Sequence, residues 1–121
     1  MLYLRGMAGI NKVILVGNLG QNPELRYTPN GIAVCTLRIA TSESYTDRAS
    51  GERITNTEWH TVIGWGKLAD IIEGFVSKGK KIAVEGKLTH RSYEDKEGNK
   101  RYVSEVVVNE ILLLGGTTNE E

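Results

Sequence analysis

The feature that most constrains the fold is the order of hydrophobic patterns along the chain. Three β-type runs, centred on residues 13–16, 32–41 and 57–66, precede one helical pattern, and two more, residues 80–95 and 101–114, follow it. The helical pattern has the i, i+3, i+4, i+7, i+8 spacing of an amphipathic helix, with Gly79 suited to end it. Its apolar members are Leu68, Ile71, Ile72, Phe75 and Val76. The predicted order is therefore β, β, β, α, β, β.

This order predicts a closed barrel. The chain has 121 residues and a mass of 13.4 kDa, which suits one domain. Five strands in so small a domain leave unpaired edges unless the sheet curls into a barrel. A helix between strands 3 and 4 matches the OB-fold, a five-stranded Greek-key barrel. We predict an all-β OB-fold with one short helix over residues 11–115, an N-terminal extension over 1–10 and a short tail over 116–121.

The polar stretch of residues 42–56 lies between the second and third predicted strands. It contains Tyr45, several charged residues and Gly51. At fifteen residues it exceeds ordinary hairpin lengths. We therefore predict a long loop that is either functional or disordered.

Composition excludes several classes of protein. Fifteen Lys and Arg balance fifteen Asp and Glu, so the chain is not a histone-like polycation. No apolar run approaches the roughly 18 residues of a membrane span, and residues 1–10 are too short of apolar residues for a secretory signal, so we expect a cytoplasmic protein. Cys35 is the single cysteine, interpreted as a small buried side chain. With two scattered histidines it makes no convincing metal site, and we predict neither metal nor cofactor.

The balanced charge conceals patches in which cations alternate with rings. Residues 76–105 hold eight basic and five acidic side chains, and tyrosines are interspersed among them. In the third predicted strand, Trp59 and Trp65 share one face about 20 Å apart, at ~3.3 Å per residue. Non-selective binding of single-stranded nucleic acid requires rings that stack on bases and dispersed cations that meet phosphates. The pattern therefore predicts such a binding surface.

Two other functions remain open on the residues alone. His60 with Glu58 would serve a nucleic-acid hydrolase, although no nucleophile candidate lies nearby and a packed or interfacial histidine is favoured. An OB-fold primosome or RNA-binding module would use the same rings and cations. The string GWGK at 64–67 lacks the spacing of a phosphate-binding loop, so no ATP site is predicted.

Long segments of the chain closely resemble a known family. They are INKVILVGNLGQNPELRYTPNG, ATSESY, TEWHTVIGWGKLAD, VEGKLTHRSYED and RYVSEVVVNEILLLGG. Together they extend from about Ile10 to Gly116 and resemble the bacterial-type single-stranded DNA-binding protein (SSB). The resemblance implies a non-enzymatic homotetramer of OB-folds, associated with the nucleoid, that wraps single-stranded DNA without strong sequence preference. Its implied roles are protection of DNA in replication, recombination and repair.

The resemblance also assigns roles to residues. Base-stacking rings are implied at Tyr45, Trp59, Trp65 and Tyr93. Phosphate contacts are implied at Lys12, Arg26, Arg48, Lys67, Lys78, Lys87, Arg91 and Arg101. His60 falls where the family approaches a subunit interface.

The sequence departs from the family at two of its features. Familiar members often have Trp at positions 45 and 93 and Phe at position 65, where this chain has Tyr45, Tyr93 and Trp65. They also continue into a flexible linker with an acidic tip that recruits replication and repair proteins. The given sequence ends at Glu121 without that tip.

Overall fold

The computed structural model describes residues 9–114. The elements are β1 (Val13–Leu19), β2 (Glu24–Tyr27), β3 (Ala33–Thr46), β4 (Arg53–Trp65), α1 (Lys67–Phe75), β5 (Lys81–Glu94) and β6 (Lys100–Leu114). Over these residues, no helix has the length and apolar character needed to cross a membrane. The predicted tail over 116–121, and all but the last two residues of the predicted extension over 1–10, lie outside the described residues.

Five of the strands close into a barrel. The order is β1-β5-β6-β4-β3, and β1 returns to pair with β3 at Asn18 and Leu19. Neighbouring strands are antiparallel except for β4 and β6, which run parallel at Val62 and Ile63. The predicted all-β OB-fold with one short helix is confirmed.

One strand that was not predicted, β2, changes the place of the helix in the order of strands. β2 forms between the first two predicted strands, in a segment where no strand is predicted. The two prolines of this segment, Pro23 and Pro29, lie outside the strand rather than within it. β2 pairs with the start of β3, from Glu24 opposite Thr36 to Tyr27 opposite Ala33. The helix therefore lies between strands 4 and 5, not 3 and 4.

The helix also ends earlier than its pattern predicts. Its last hydrogen bond is donated by the backbone N–H of Val76 to the carbonyl of Ile72, and Val76 itself has extended backbone angles. Gly79, predicted to end the helix, lies in the following turn with φ +89°. The glycine permits the turn that leads into β5.

The prediction of a long loop over residues 42–56 is wrong. β3 continues to Thr46 and β4 starts at Arg53, so only residues 47–52 form the turn of a long hairpin. Hydroxyl pairs bridge the strands at 2.9 Å, Ser42 with Thr57 and Ser44 with Thr55. Main-chain pairing and such cross-strand pairs stabilise this ribbon without a hydrophobic core, so its strands carry no alternating apolar pattern.

The core fills the barrel between its strands and α1. Its largest fully buried side chains are Leu19, Leu37, Ile39, Val62, Ile72, Ile82 and Val84. Cys35 is completely buried, which confirms its interpretation as a core residue. Burial, assisted by the nearby carboxylate of Glu73, raises the pKa of the Cys35 thiol to about 11. The thiol is therefore protonated at neutral pH and is a poor nucleophile.

Gly86 allows the closest approach of β5 to β6. A Cβ atom at this position would lie 2.1 Å from the carbonyl oxygen of Val107. The pairing register of the two strands also shifts between Glu85 and Gly86. A side chain here would push apart two strands of the barrel.

Gly86→Ala should destabilise the fold by about 1–3 kcal/mol, because the new methyl group overlaps backbone that cannot move freely. Gly74→Ala is the matched control, since Gly74 lies in α1 with open space around it. That variant should be stabilised by about 0.5 kcal/mol through helix propensity. Urea unfolding midpoints measure both, and equal effects would contradict the close approach.

Candidate nucleic-acid interface

β4 places both indole rings on the outer face of the barrel. Val62 pairs with Leu37, and both side chains are completely buried, so the odd positions of β4 face outwards. Trp59 and Trp65 are 53% and 48% exposed. The prediction that the two rings share a strand face, outside the core, is confirmed.

A groove crosses this outer face beside Trp65. It consists of two adjoining depressions that share Arg26, Ile63, Arg91 and Glu105 as lining residues. The first depression also includes Trp65, and the second includes Tyr93. We call the two together the central groove. It combines aromatic rings, cations and two carboxylates, Glu24 and Glu105.

A second, smaller depression lies beside the other indole. It is lined by Gly20, Gln21, Arg38 and Trp59, and we call it the Trp59 pocket. The ring of Trp59 covers Gly20 closely enough that a Cβ atom on Gly20 would lie 2.3 Å from the ring carbon Cζ3. The missing side chain of Gly20 therefore sets the position of the indole.

Tyr45 does not lie with the other three rings. The pairing register runs without interruption from Ala40 opposite Trp59 to Tyr45 opposite Ile54. Because successive residues alternate between faces, Tyr45 falls on the opposite face of the hairpin from Trp59. It is exposed there, near the hairpin turn. The structure thus brings together Trp59, Trp65 and Tyr93 on one face and separates Tyr45 from them.

Three of the predicted phosphate-binding cations already belong to ion pairs. The pairs join Arg91 Nε to Glu105 Oε1 at 2.6 Å, Arg101 Nε to Asp95 Oδ2 at 2.9 Å, and Lys12 Nζ to Glu85 Oε2 at 3.6 Å. The hydrogen bond from Arg101, with backbone donors from residues 97 and 99, lowers the pKa of Asp95. A phosphate that approaches any of these cations must compete with a carboxylate.

The other predicted cations are exposed but dispersed. Arg26 lines the central groove, and Lys87 lies on β5 opposite Val107. Lys67 begins α1, Lys78 lies in the turn after it, and Arg48 lies in the hairpin turn. Of the eight predicted cations, the central groove contains Arg26 and Arg91.

Three charged residues of this face escaped prediction: Arg38, Glu105 and Glu24, an exposed residue of β2. Arg38 is exposed between the buried Leu37 and Ile39, and it shares the Trp59 pocket. Among residues 9–114 it takes part in no ion pair. In the sequence, the position of Arg38 between two apolar residues of a predicted strand indicates that it faces outwards. Glu105 is a lone carboxylate beside an apolar run and is 6% exposed, and only the structure shows that it faces the groove.

His60 is hydrogen-bonded within the β-sheet. Its Nε2 lies 2.8 Å from Thr41 Oγ1 across the strand pair, and the side chain is half-buried. Within the described part of the chain, no group of three His, Cys, Asp or Glu residues is arranged to hold a metal. The role of His60 at a subunit interface stays a prediction.

A family model decides the relationship of this chain to known proteins. The model of the single-strand binding protein family matches residues 10–114. The chain belongs to this SSB family. The resemblance drawn from the sequence is therefore confirmed.

Two solved structures are similar to the chain. An SSB from Plasmodium falciparum in complex with ssDNA has a TM-score of 0.78 and 24% identity, over 91% of this chain and 99% of that one. A deletion mutant of the single-stranded DNA binding protein from Thermus aquaticus has a TM-score of 0.75 and 34% identity, over 89% of this chain. The match covers 52% of the Thermus protein, so the present chain spans about half of its length.

Family membership resolves the alternatives left open by the residues. Proteins of the SSB family bind single-stranded DNA and are not enzymes, with general roles in replication, recombination and repair. The hydrolase hypothesis for His60 and Glu58 therefore falls, and single-stranded DNA is the ligand.

Gly20→Ala should displace the ring of Trp59 and weaken DNA binding about threefold to tenfold, because a displaced ring loses part of the ~1–3 kcal/mol that stacking contributes per base. The distal ring atoms can swing away, so the unfolding midpoint should change little. Tryptophan emission and poly(dT) quenching in a Trp65→Phe background report on Trp59 alone. Gly74→Ala is the control, and unchanged emission and affinity in Gly20→Ala would show that the ring does not depend on Gly20.

Proposed function

We propose that single-stranded DNA lies along the outer face of β4, from the Trp59 pocket to the central groove. The observation that carries this path is the pair of half-exposed indoles on one strand face, with Tyr93 across the groove. Each base offers a flat face, so stacking on these rings tolerates any sequence. In this path, Tyr45 contacts the DNA where the DNA passes to the opposite face of the β3–β4 hairpin.

Phosphate contacts complete the proposed binding mode. Arg38 and Arg26 are best placed, because they lie in the same depressions as Trp59 and Trp65. Further phosphate contacts, dispersed over the surface, are made by the remaining predicted cations outside the central groove: Lys12, Arg48, Lys67, Lys78, Lys87 and Arg101. Arg91 adds a guanidinium to the central groove. Local cations of this kind allow a chain of zero net charge to bind a polyanion.

Substitutions should separate stacking from charge. Trp59→Ala should cost about 1–3 kcal/mol at every salt concentration, with the slope of log K against log salt unchanged. Arg38→Ala should flatten that slope by about 0.7, the value for one phosphate contact on a single strand. Poly(dT) titrations over a range of NaCl concentrations measure both quantities.

Arg38→Lys is the matched control, because it keeps the positive charge and should keep the slope. An equal loss of slope in Trp59→Ala and Arg38→Ala would show that the two roles are wrongly assigned. A wild-type protein whose emission poly(dT) does not quench would exclude stacking on the indoles altogether.

We also propose that the protein is a homotetramer. Exposed apolar side chains form a patch on the outer face of β1, β5 and β6 beside α1. Ile14 and Leu112 are 64% and 62% exposed there and line one depression with Ile71. Within residues 9–114, β1 pairs with β3 only at Asn18 and Leu19, which leaves the rest of that edge available to another strand. The apolar face and the free strand edge can each contact the same surface of a second copy through a two-fold axis. Two different two-fold contacts of this kind assemble four copies into a tetramer.

Sedimentation or light scattering should give a mass four times the chain mass of 13.4 kDa. Leu112→Asp should lower this mass, because it buries a charge in the proposed interface. Tyr102→Asp adds the same charge at an exposed hydrophobic residue outside this patch and should leave the mass unchanged. A monomeric wild-type protein would contradict the proposed assembly.

The cellular setting follows from the ligand. We propose a cytoplasmic, nucleoid-associated protein, since single-stranded DNA is exposed there during replication and repair. Replication and repair proteins are the proposed partners, recruited in resembling proteins through an acidic tip that the given sequence does not include.

A further inference from the structure

Glu105 is an unexpected residue for a surface that binds a polyanion. It is 6% exposed on β6 and lines both depressions of the central groove. Burial of a carboxylate is costly unless it is paired and hydrogen-bonded, and a negative charge in this groove opposes phosphate. A compensating contact is therefore required to explain its position.

Arg91 supplies that contact through two hydrogen bonds. Its Nε donates to Glu105 Oε1 at 2.6 Å, and its Nη2 donates to Oε2 at 3.4 Å. Two such bonds fix the plane of a guanidinium as well as its position. Thr89 Oγ1 also donates to the backbone carbonyl of Glu105 at 3.2 Å, which ties β5 to β6 at this point. The acceptor is therefore itself held in place.

The fixed guanidinium stands between the two aromatic parts of the groove. The carbon Cζ of Arg91 lies 5.9 Å from the centroid of the Tyr93 ring. Arg91 also lines the depression that includes Trp65. Arginine planes stack on nucleobases much as aromatic rings do. The side chain is thus placed to extend the series of flat surfaces from Trp65 to Tyr93.

The ion pair also changes the electrostatic role of Arg91. A cation whose charge is cancelled by a carboxylate adds little to the counterion release that makes DNA binding depend on salt. The hydrogen bond that Arg91 donates to Glu105 raises the pKa of Arg91, so the guanidinium stays charged and the pair stays formed. Arg38 differs, because among residues 9–114 no ion pair includes it.

We propose that Glu105 is a positioning residue that holds Arg91 as a flat wall of the central groove and cancels its charge, so that Arg91 contacts bases rather than phosphates. This proposal rests on the proposed path of DNA through the groove. It gives Arg91 a different role from the phosphate contact that the family resemblance implies.

The test compares three variants of the full chain in poly(dT) titrations over a range of salt. The double variant Arg91→Ala/Glu105→Gln removes a pair of zero net charge, so it should lower the affinity extrapolated to 1 M salt about fivefold or more and keep the wild-type salt slope. Arg91→Lys should show the same loss, because lysine keeps the charge but not the plane. Glu105→Gln keeps the shape of the side chain and an oxygen that accepts from Arg91 Nε, but it removes the charge that cancels Arg91. The slope of log K against log salt should therefore steepen by about 0.7.

Glu97→Gln is the charge-matched control, since Glu97 is exposed in the β5–β6 turn outside the central groove, and its slope should equal that of the wild type. The proposal is overturned if the double variant Arg91→Ala/Glu105→Gln has a slope about 0.7 flatter than the wild type, because Arg91 then contacts a phosphate. It is equally overturned if Glu105→Gln has the slope of Glu97→Gln. Urea unfolding identifies a variant that does not fold. If Glu105→Gln does not fold, the two Arg91 variants decide whether Arg91 contacts bases or phosphates.

These outcomes are separable from failure of the proposed DNA path. If Trp59→Ala binds poly(dT) as the wild type does, the path itself is wrong. If Trp59→Ala loses affinity while the Arg91 variants behave as phosphate contacts, only the role of Glu105 is wrong.

Discussion

Closure of the sheet through β1 is the constraint on which the rest of the structure depends. β1 pairs with β5 along most of its length and with β3 at its end, so that five strands enclose one core. Closure requires close approach of backbones. A Cβ atom on Gly17 would lie 2.2 Å from the carbonyl oxygen of Ala40, and Gly86 is similarly placed against Val107. Once the barrel is closed, alternate residues must face outwards, and Trp59 and Trp65 are among them.

The outer face shows how a chain without net charge can bind a polyanion. Its positive charges are local, and three of the predicted cations are paired with carboxylates before DNA arrives. In the proposed binding mode, stacking on Trp59, Trp65 and Tyr93 therefore supplies much of the affinity, and Arg38 and Arg26 add a smaller salt-dependent part. In this arrangement the Arg91–Glu105 pair serves the geometry of the groove more than its charge.

Particular residues show where sequence patterns sufficed. Strand alternation predicted that Trp59 and Trp65 share one face, because a period of two survives any curvature of the sheet. Thr57 and Thr61 on the same face indicated that it points away from the core. The hairpin of residues 42–56 was missed, because cross-strand hydroxyl pairs such as Ser42 with Thr57 leave no hydrophobic pattern. For the same reason Tyr45 was expected in a loop, whereas it lies in β3 on the opposite face.

The sequence by itself determined the barrel class, the exposed indoles and the family, since these depend on local periodicity and on long matching segments. Only the tertiary structure decided which residues share a groove. Arg91 and Glu105 are fourteen positions apart, and Arg38 meets Trp59 across a strand pair. Such neighbours are set by pairing register and barrel closure, which bring distant segments together through backbone hydrogen bonds that are nearly independent of side-chain identity.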